Sequence, residues 1–96
     1  MPKTLEATLR ELDANSILAG AQILSSGALR LWIGDRARGI TAETLIGAPN
    51  STGSIDWTIY APAIRWLQET AVRLYPDTPY AHNNRQFVPE ALRQVA

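Results

Sequence analysis

The chain contains no cysteine. That one absence excludes disulfides, thiolate metal ligands, thiol nucleophiles and thiol redox chemistry, and leaves packing to hold the fold unaided. Long hydrophobic runs are missing as well. No segment approaches the roughly 20 apolar residues of a membrane span, and the start, Met1-Pro2-Lys3-Thr4-Leu5-Glu6, has neither the basic stretch nor the apolar run of a signal peptide. The expectation is a cytoplasmic protein that stays out of the membrane. Nor is there an excess of charge of either sign. Nine basic residues cancel nine acidic ones, and five of each fall before Ala48, so neither half is a charged tail. Long-range attraction to nucleic acid or to an anionic membrane finds no support in such a balance. Lysine occurs once, at Lys3, and arginine supplies the other eight positive charges. A GC-rich bacterial genome explains that bias as readily as a need for guanidinium chemistry.

What is present is an ordinary globular composition, 46% apolar and 19% charged over 96 residues, enough for one domain with one core and no internal linker. Leu5, Leu9 and Leu12 recur at helical spacing from Thr4 to about Ala14. Thr4 is placed to cap that helix, Glu6 suits its first turn, and Asn15-Ser16 supplies the stop. Ile17 to Leu24 is too short for a typical helix and reads as a strand, closed by the turn Ser25-Ser26-Gly27. Ala28 to Ile33 alternates cleanly, with Leu29, Leu31 and Ile33 on one face and Arg30 and Trp32 on the other. After the polar loop Gly34 to Gly39, Ile40 to Ile46 resumes a strand rich in Ile and Thr, and the two form an antiparallel hairpin.

Gly47 to Ser54 carries loop chemistry throughout. A second helix is expected over Pro62 to Tyr75, where Ile64, Leu67, Ala71 and Leu74 form one stripe and Pro62 fits the first turn. Residues 55 to 61 admit two readings, a fourth strand or an early helix start between Trp57 and Pro62, and the helix start is favoured. Pro76-Asp77-Thr78-Pro79 ends the helix, Tyr80 to Gln86 reads as polar and irregular, and Pro89 opens a short helical tail through Val95. The predicted fold class is α+β: helix, a three-stranded antiparallel meander with a fourth strand left open, helix, then a short tail. Leu29, Leu31 and Ile33 would meet the apolar stripes of the two helices, leaving the Arg30 and Trp32 face uncovered.

Tests for chemistry return little. His82 is the only histidine and sits in a polar segment. Asp77 is its nearest sequence neighbour able to orient it, and no H-x-x-x-H or E-x-x-H spacing gathers metal ligands around it. The serines occupy turn contexts without a G-x-S-x-G elbow. No cofactor, metal site or catalytic residue is expected. Arg36 and Arg38 lie on the tight loop between two glycines, where they could clamp a phosphate or an acidic partner, although the simpler reading is a solvated hairpin turn, for which Asp35 and the flanking glycines suffice. Trp32, Trp57 and Trp66 are many tryptophans for this length. Trp32 on the free sheet face and Trp66 beside the helix stripe read either as core-edge residues or as interface anchors. Arg30, Trp32, Arg38 and Glu43 could share one sheet face.

The order helix, three strands, helix resembles that of double-stranded RNA-binding domains. Those domains grip phosphates with a lysine-rich start to their second helix, where Thr58 to Leu67 offers only Arg65. A second resemblance rests on the strand ending Ile33-Gly34-Asp35, the helix carrying Trp66-Leu67, and its close at Tyr75-Pro76-Asp77-Thr78. Over residues 28 to 81 this pattern is similar to that of small proteobacterial and prophage-encoded proteins; it carries no functional motif or activity with it, and an accessory or inhibitor role in a phage or mobile element is a sub-case of the expectation below. The functional expectation is a non-catalytic protein that binds another protein or itself through Arg30, Trp32, Arg36, Arg38 and Trp66. The alternative is a nucleic-acid-binding module that uses the arginine-bearing hairpin and the sheet face.

Overall fold

The computed structural model describes residues 4–47 and 56–84. Helix α1 spans Leu5–Ala14 and begins where Thr4 accepts a hydrogen bond from the Ala7 amide at 3.0 Å. Its buried stripe is Leu5, Thr8 and Leu12. Leu9, expected at the centre of that stripe, is half-buried at the core margin, and Thr8 takes its place. The substitution of roles is affordable because the Thr8 hydroxyl donates to the Thr4 carbonyl at 3.0 Å, so no polar atom is buried unpaired. The helix closes with two backbone bonds, from Ser16 to the Asp13 carbonyl and from Ile17 to the Leu12 carbonyl. Ser16 holds the left-handed conformation that this closure requires, at φ 63°. The chain is thereby turned so that Ile17 drops into the core.

Strands β1 (Leu18–Ile23), β2 (Leu29–Asp35) and β3 (Gly39–Ile46) form one antiparallel sheet in the order β1-β2-β3. The hairpin between β2 and β3 turns on Asp35. One of its carboxylate oxygens accepts from the amides of Ala37 and Arg38 at 2.9 and 2.8 Å, and Gly39 leaves the turn at φ 75°, where a side chain would be strained. The register slips once. Ile33 pairs with Ala42 but Gly34 pairs with Ile40, so Thr41 is the extra residue of a bulge.

Of residues 55 to 61, residue 55 lies outside the described residues, and residues 56 to 61 resolve in favour of the helix start. Trp57–Ile59 is a single 3-10 turn capped by Asp56, and α2 follows over Ala61–Leu74 with Pro62 in its first turn. Among the described residues there is no fourth strand. Helices α1 and α2 lie over one face of the sheet, α1 against β1 and α2 against β2 and β3. Leu29, Leu31 and Ile33 meet Leu5, Leu12, Ala63, Ile64, Leu67 and Ala71 there. The architecture is α+β, as the pattern of the sequence predicts.

One expectation fails outright. Tyr80 and its neighbours are not irregular: α3 spans Pro79–Asn83, capped by Thr78 and opened by Pro79, with Tyr80 and Ala81 buried. Asn15 at the end of α1 accepts from the Tyr80 amide at 3.0 Å, and Asn84 donates to the Tyr80 carbonyl at 2.8 Å. The cap and proline supply the start, and burial of the Tyr80 ring fixes so short a helix in place. The loop from residue 48 to Ser54 and the expected helix from Pro89 to Val95 lie outside the described residues. Among the described residues no helix is long and apolar enough to cross a membrane.

Candidate interaction surface

Because paired residues of an antiparallel sheet share a face, the register defines the side that the helices leave open. It carries Leu18, Gly20 and Gln22 from β1, Arg30, Trp32 and Gly34 from β2, and Ile40, Glu43 and Leu45 from β3. Leu18, Ile40 and Leu45 are 38%, 58% and 61% exposed, so three large apolar side chains stand in solvent on one surface. Ile40 is there because of the bulge. Plain alternation would send it to the covered side with Ala42, Thr44 and Ile46.

Trp32 is only half-exposed although no described element covers it. Its indole lies across β1 at Gly20, where a β-carbon would come within 2.1 Å of the ring. Glycine therefore provides the floor for the indole, the arrangement by which an aromatic shields a strand glycine. The Arg30 guanidinium is 5.2 Å from the Trp32 ring centroid and 2.6 Å from a Glu43 oxygen. That hydrogen-bonded pair holds the Glu43 carboxyl below its ordinary range and raises Arg30. The open face is thus an apolar surface crossed by one neutralised ion pair.

The sequence also expected Arg38 on this face, and the structure places it elsewhere. Its guanidinium lies 5.5 Å from the Tyr75 ring centroid and its Nε donates to Asp35 at 2.9 Å. The Tyr75 hydroxyl in turn reaches Asp35 at 3.2 Å and Thr41 at 2.8 Å. The reason is parity. Asp35 points to the same side as Leu31 and Ile33, so the turn it organises leans toward the end of α2. Hydrogen bonding from the Arg38 amide, then from the Arg38 and Tyr75 side chains, keeps the Asp35 carboxyl below its usual range. This cluster buckles the hairpin tip to the helix layer. Arg36 at the same tip is exposed and forms no ion pair among the described residues.

Trp66 belongs to a third place. With Ala61, Pro62, Arg65 and Glu69 of α2 and Ile46 of β3 it lines an open groove of about 460 Å³ beside the outer edge of β3. Trp57 packs edge-to-face on Tyr60 at 4.7 Å against the core. His82 is exposed on α3, outside that groove and without a hydrogen bond to Asp77. Among the described residues no three His, Asp or Glu side chains converge as metal ligands would.

The five residues singled out from sequence therefore divide into three locations: Arg30 and Trp32 on the open face, Arg36 and Arg38 at the hairpin tip, Trp66 in the groove. Sequence reasoning missed Leu18, Ile40 and Leu45, and it missed Gly20 as the seat of Trp32. A glycine inside an apolar strand pattern is a recognised sign of close approach, and it was the available signal. No protein-family model, curated protein or solved structure matches the chain.

Proposed function

We propose that this is a non-catalytic binding protein that engages another protein, or a second copy of itself, on the open sheet face around Arg30 and Trp32. The observation that carries this reading is the grouping of Leu18, Ile40 and Leu45 with Trp32 on one face that no described element covers. Contiguous exposed apolar surface is what soluble proteins avoid unless a partner meets it. An aromatic ring already held in place by Gly20 and Arg30 loses little freedom on binding, which suits an anchor. A cytoplasmic accessory role in a phage or mobile element is the setting that the sequence resemblance suggests. Nucleic-acid binding draws less support, because Arg30 and Arg38 are each committed to a carboxylate on the protein itself.

The test compares the wild type with Trp32→Ala and Ile40→Glu in affinity capture from host extract and in light scattering over a concentration series. Both variants alter exposed or half-exposed positions, so circular dichroism should report an unchanged fold. Loss of a captured partner or of self-association supports the reading, and unchanged contacts in both variants defeat it. An oligonucleotide titration at low salt checks the alternative, since binding through arginines must strengthen there.

A further inference from the structure

Strand β3 is an edge. Its inner side bonds to β2, and among the described residues nothing pairs with its outer side. Natural sheets usually protect such an edge with lysine, proline, a bulge or brevity, and the bulge at Thr41 leaves Ala42 to Ile46 regular. β3 has eight residues, no proline and no lysine, a single charge at Glu43, and β-branched residues at Ile40, Thr41, Thr44 and Ile46. Beside the Ile46 end of that edge lies the groove that Ile46 shares with Arg65, Trp66 and Glu69 of α2. A strand added to β3 would lay the inward side chain opposite Ile46 in this groove.

We propose that the added strand is β3 of a second copy, paired antiparallel about a two-fold axis to make one six-stranded sheet, with the two α2 helices side by side. The surface is distinct from the open face, and the proposal does not rest on the function proposed for that face.

Charge supports a copy over another occupant. Arg65 and Glu69 lie four residues apart on the groove flank, in the order less favourable for pairing along one helix, and neither forms an ion pair among the described residues. A two-fold axis normal to the sheet makes the two α2 helices antiparallel. Arg65 of each copy then faces Glu69 of the other if the axis passes the helix near Leu67, midway between them. The strand sets the same level. Gly47, one residue past β3, accepts from the Tyr60 hydroxyl at the start of α2 at 3.3 Å, and Thr41 meets Tyr75 past its end, so Thr44 stands opposite the stretch around Leu67.

An axis through Thr44 pairs it with Thr44 of the copy, Glu43 with Leu45 and Ala42 with Ile46. A shift of the axis to Glu43 would instead oppose two carboxylates. Strands spaced by about 4.8 Å bring two helices that each lie over β2 and β3 to roughly 10–14 Å, within reach for tryptophan and arginine side chains.

The experiment measures the mass of the full chain by sedimentation from low micromolar to near-millimolar concentration, with amide hydrogen exchange followed along the same series. The wild type should move from monomer to dimer, and exchange in β3 should slow with concentration while exchange in β1 does not. Arg65→Glu and Glu69→Arg should each weaken the dimer by roughly tenfold or more. The double variant Arg65→Glu/Glu69→Arg should recover the wild-type mass, because the swap restores complementarity. Arg65 is exposed and Glu69 half-exposed, so these variants retain the fold. A monomer at every concentration overturns the proposal. So does a dimer whose β3 amides are unprotected, or one that neither single reversal weakens. Trp32→Ala, on the central strand, should leave this dimer intact, which separates its failure from failure of the open-face reading.

Discussion

The two faces of one strand reach low exposure by different physics. On the covered side Leu29, Leu31 and Ile33 are 1%, 0% and 0% exposed because two helices lie on them. On the open side Arg30 and Trp32, their immediate neighbours in sequence, are half-buried by side chains and glycine of the sheet alone. The first face draws on area removed from water, which is large and tolerates no lost volume. The second draws on local contacts worth tenths of a kcal/mol to about 1 kcal/mol each, which can be rearranged when a partner arrives. A small domain thus keeps its stability on one side and its adaptability on the other.

The sharpest break in that comparison comes from trimming one apolar residue on each side. Leu31→Ala deletes a fully buried core side chain under the helix layer and should cost about 2–5 kcal/mol, a large part of the stability of a chain this size. Leu45→Ala, at 61% exposure on the open face, should change stability by less than about 0.5 kcal/mol. Urea unfolding of both variants checks the pair. Equal losses would mean that the open face is covered in solution by something that excludes water as well as the helices do.

Next in size is the seat of Trp32. Gly20→Val places atoms where the indole lies and must displace it, because the nearest ring carbon is 2.1 Å from the position of a β-carbon. The expected cost is about 1–3 kcal/mol, typical of overpacking, with tryptophan emission shifted to the red as the ring enters solvent. The double variant Gly20→Val/Trp32→Ala should recover most of that loss, since valine then finds open space and suits a strand. Absence of recovery would show that Gly20 is required by the backbone and not by the ring above it.

How much of this was legible in the sequence follows the same division. The covered side was readable because hydrophobic periodicity is what burial under helices imposes. Leu29, Leu31 and Ile33 alternate, α1 and α2 carry stripes, and Thr4 and Pro62 mark their starts. The open side was only half readable. Arg30 and Trp32 follow from alternation, but Ile40 reaches their face through a one-residue bulge, and no local pattern announced it. Arg38 misleads for a related reason: its ring contact with Tyr75 spans 37 positions of sequence, and the Tyr75 hydroxyl reaches Asp35 across 40. The helix around Tyr80 was hidden by polar neighbours. Its cap, Thr78-Pro79, was in view, yet the burial of Tyr80 and the Asn15 side chain that accepts from its amide 65 residues away in sequence were not.

Acid should separate the open face and the hairpin tip from the core. Asp35 and Glu43 both have folded-state pKa values below the ordinary carboxylate range, so in acid the unfolded chain binds more protons than the folded one. Their contribution is complete at neutral pH and is lost as pH falls below about 4 and through the depressed folded values. Thermal melts between neutral pH and that range should show stability falling, with a shallower fall in the variant Asp35→Asn/Glu43→Gln. An unchanged slope would mean that neither carboxylate matters to the fold. Both groups are solvent-accessible, so the effect should also shrink with added salt.

The smallest effect lies within the core and has the opposite sign. Tyr80 is 2% exposed, and its hydroxyl has no hydrogen-bond partner among the described residues. Burial, with a smaller push from the charge of Glu11, raises the phenol far above its usual range, so it remains a neutral hydroxyl at any ordinary pH. The ring contributes apolar area where α3 meets α1 and α2, and the oxygen contributes desolvation without a compensating bond. Tyr80→Phe should therefore keep the ring and remove the penalty, leaving stability unchanged or raising it by up to about 1 kcal/mol. Thermal unfolding at neutral pH measures it. A loss of more than about 1 kcal/mol would show that the hydroxyl is hydrogen-bonded in solution. The core would then depend on a polar contact, as the open face does at Arg30 and Glu43, and the contrast between the two sides of the sheet would narrow.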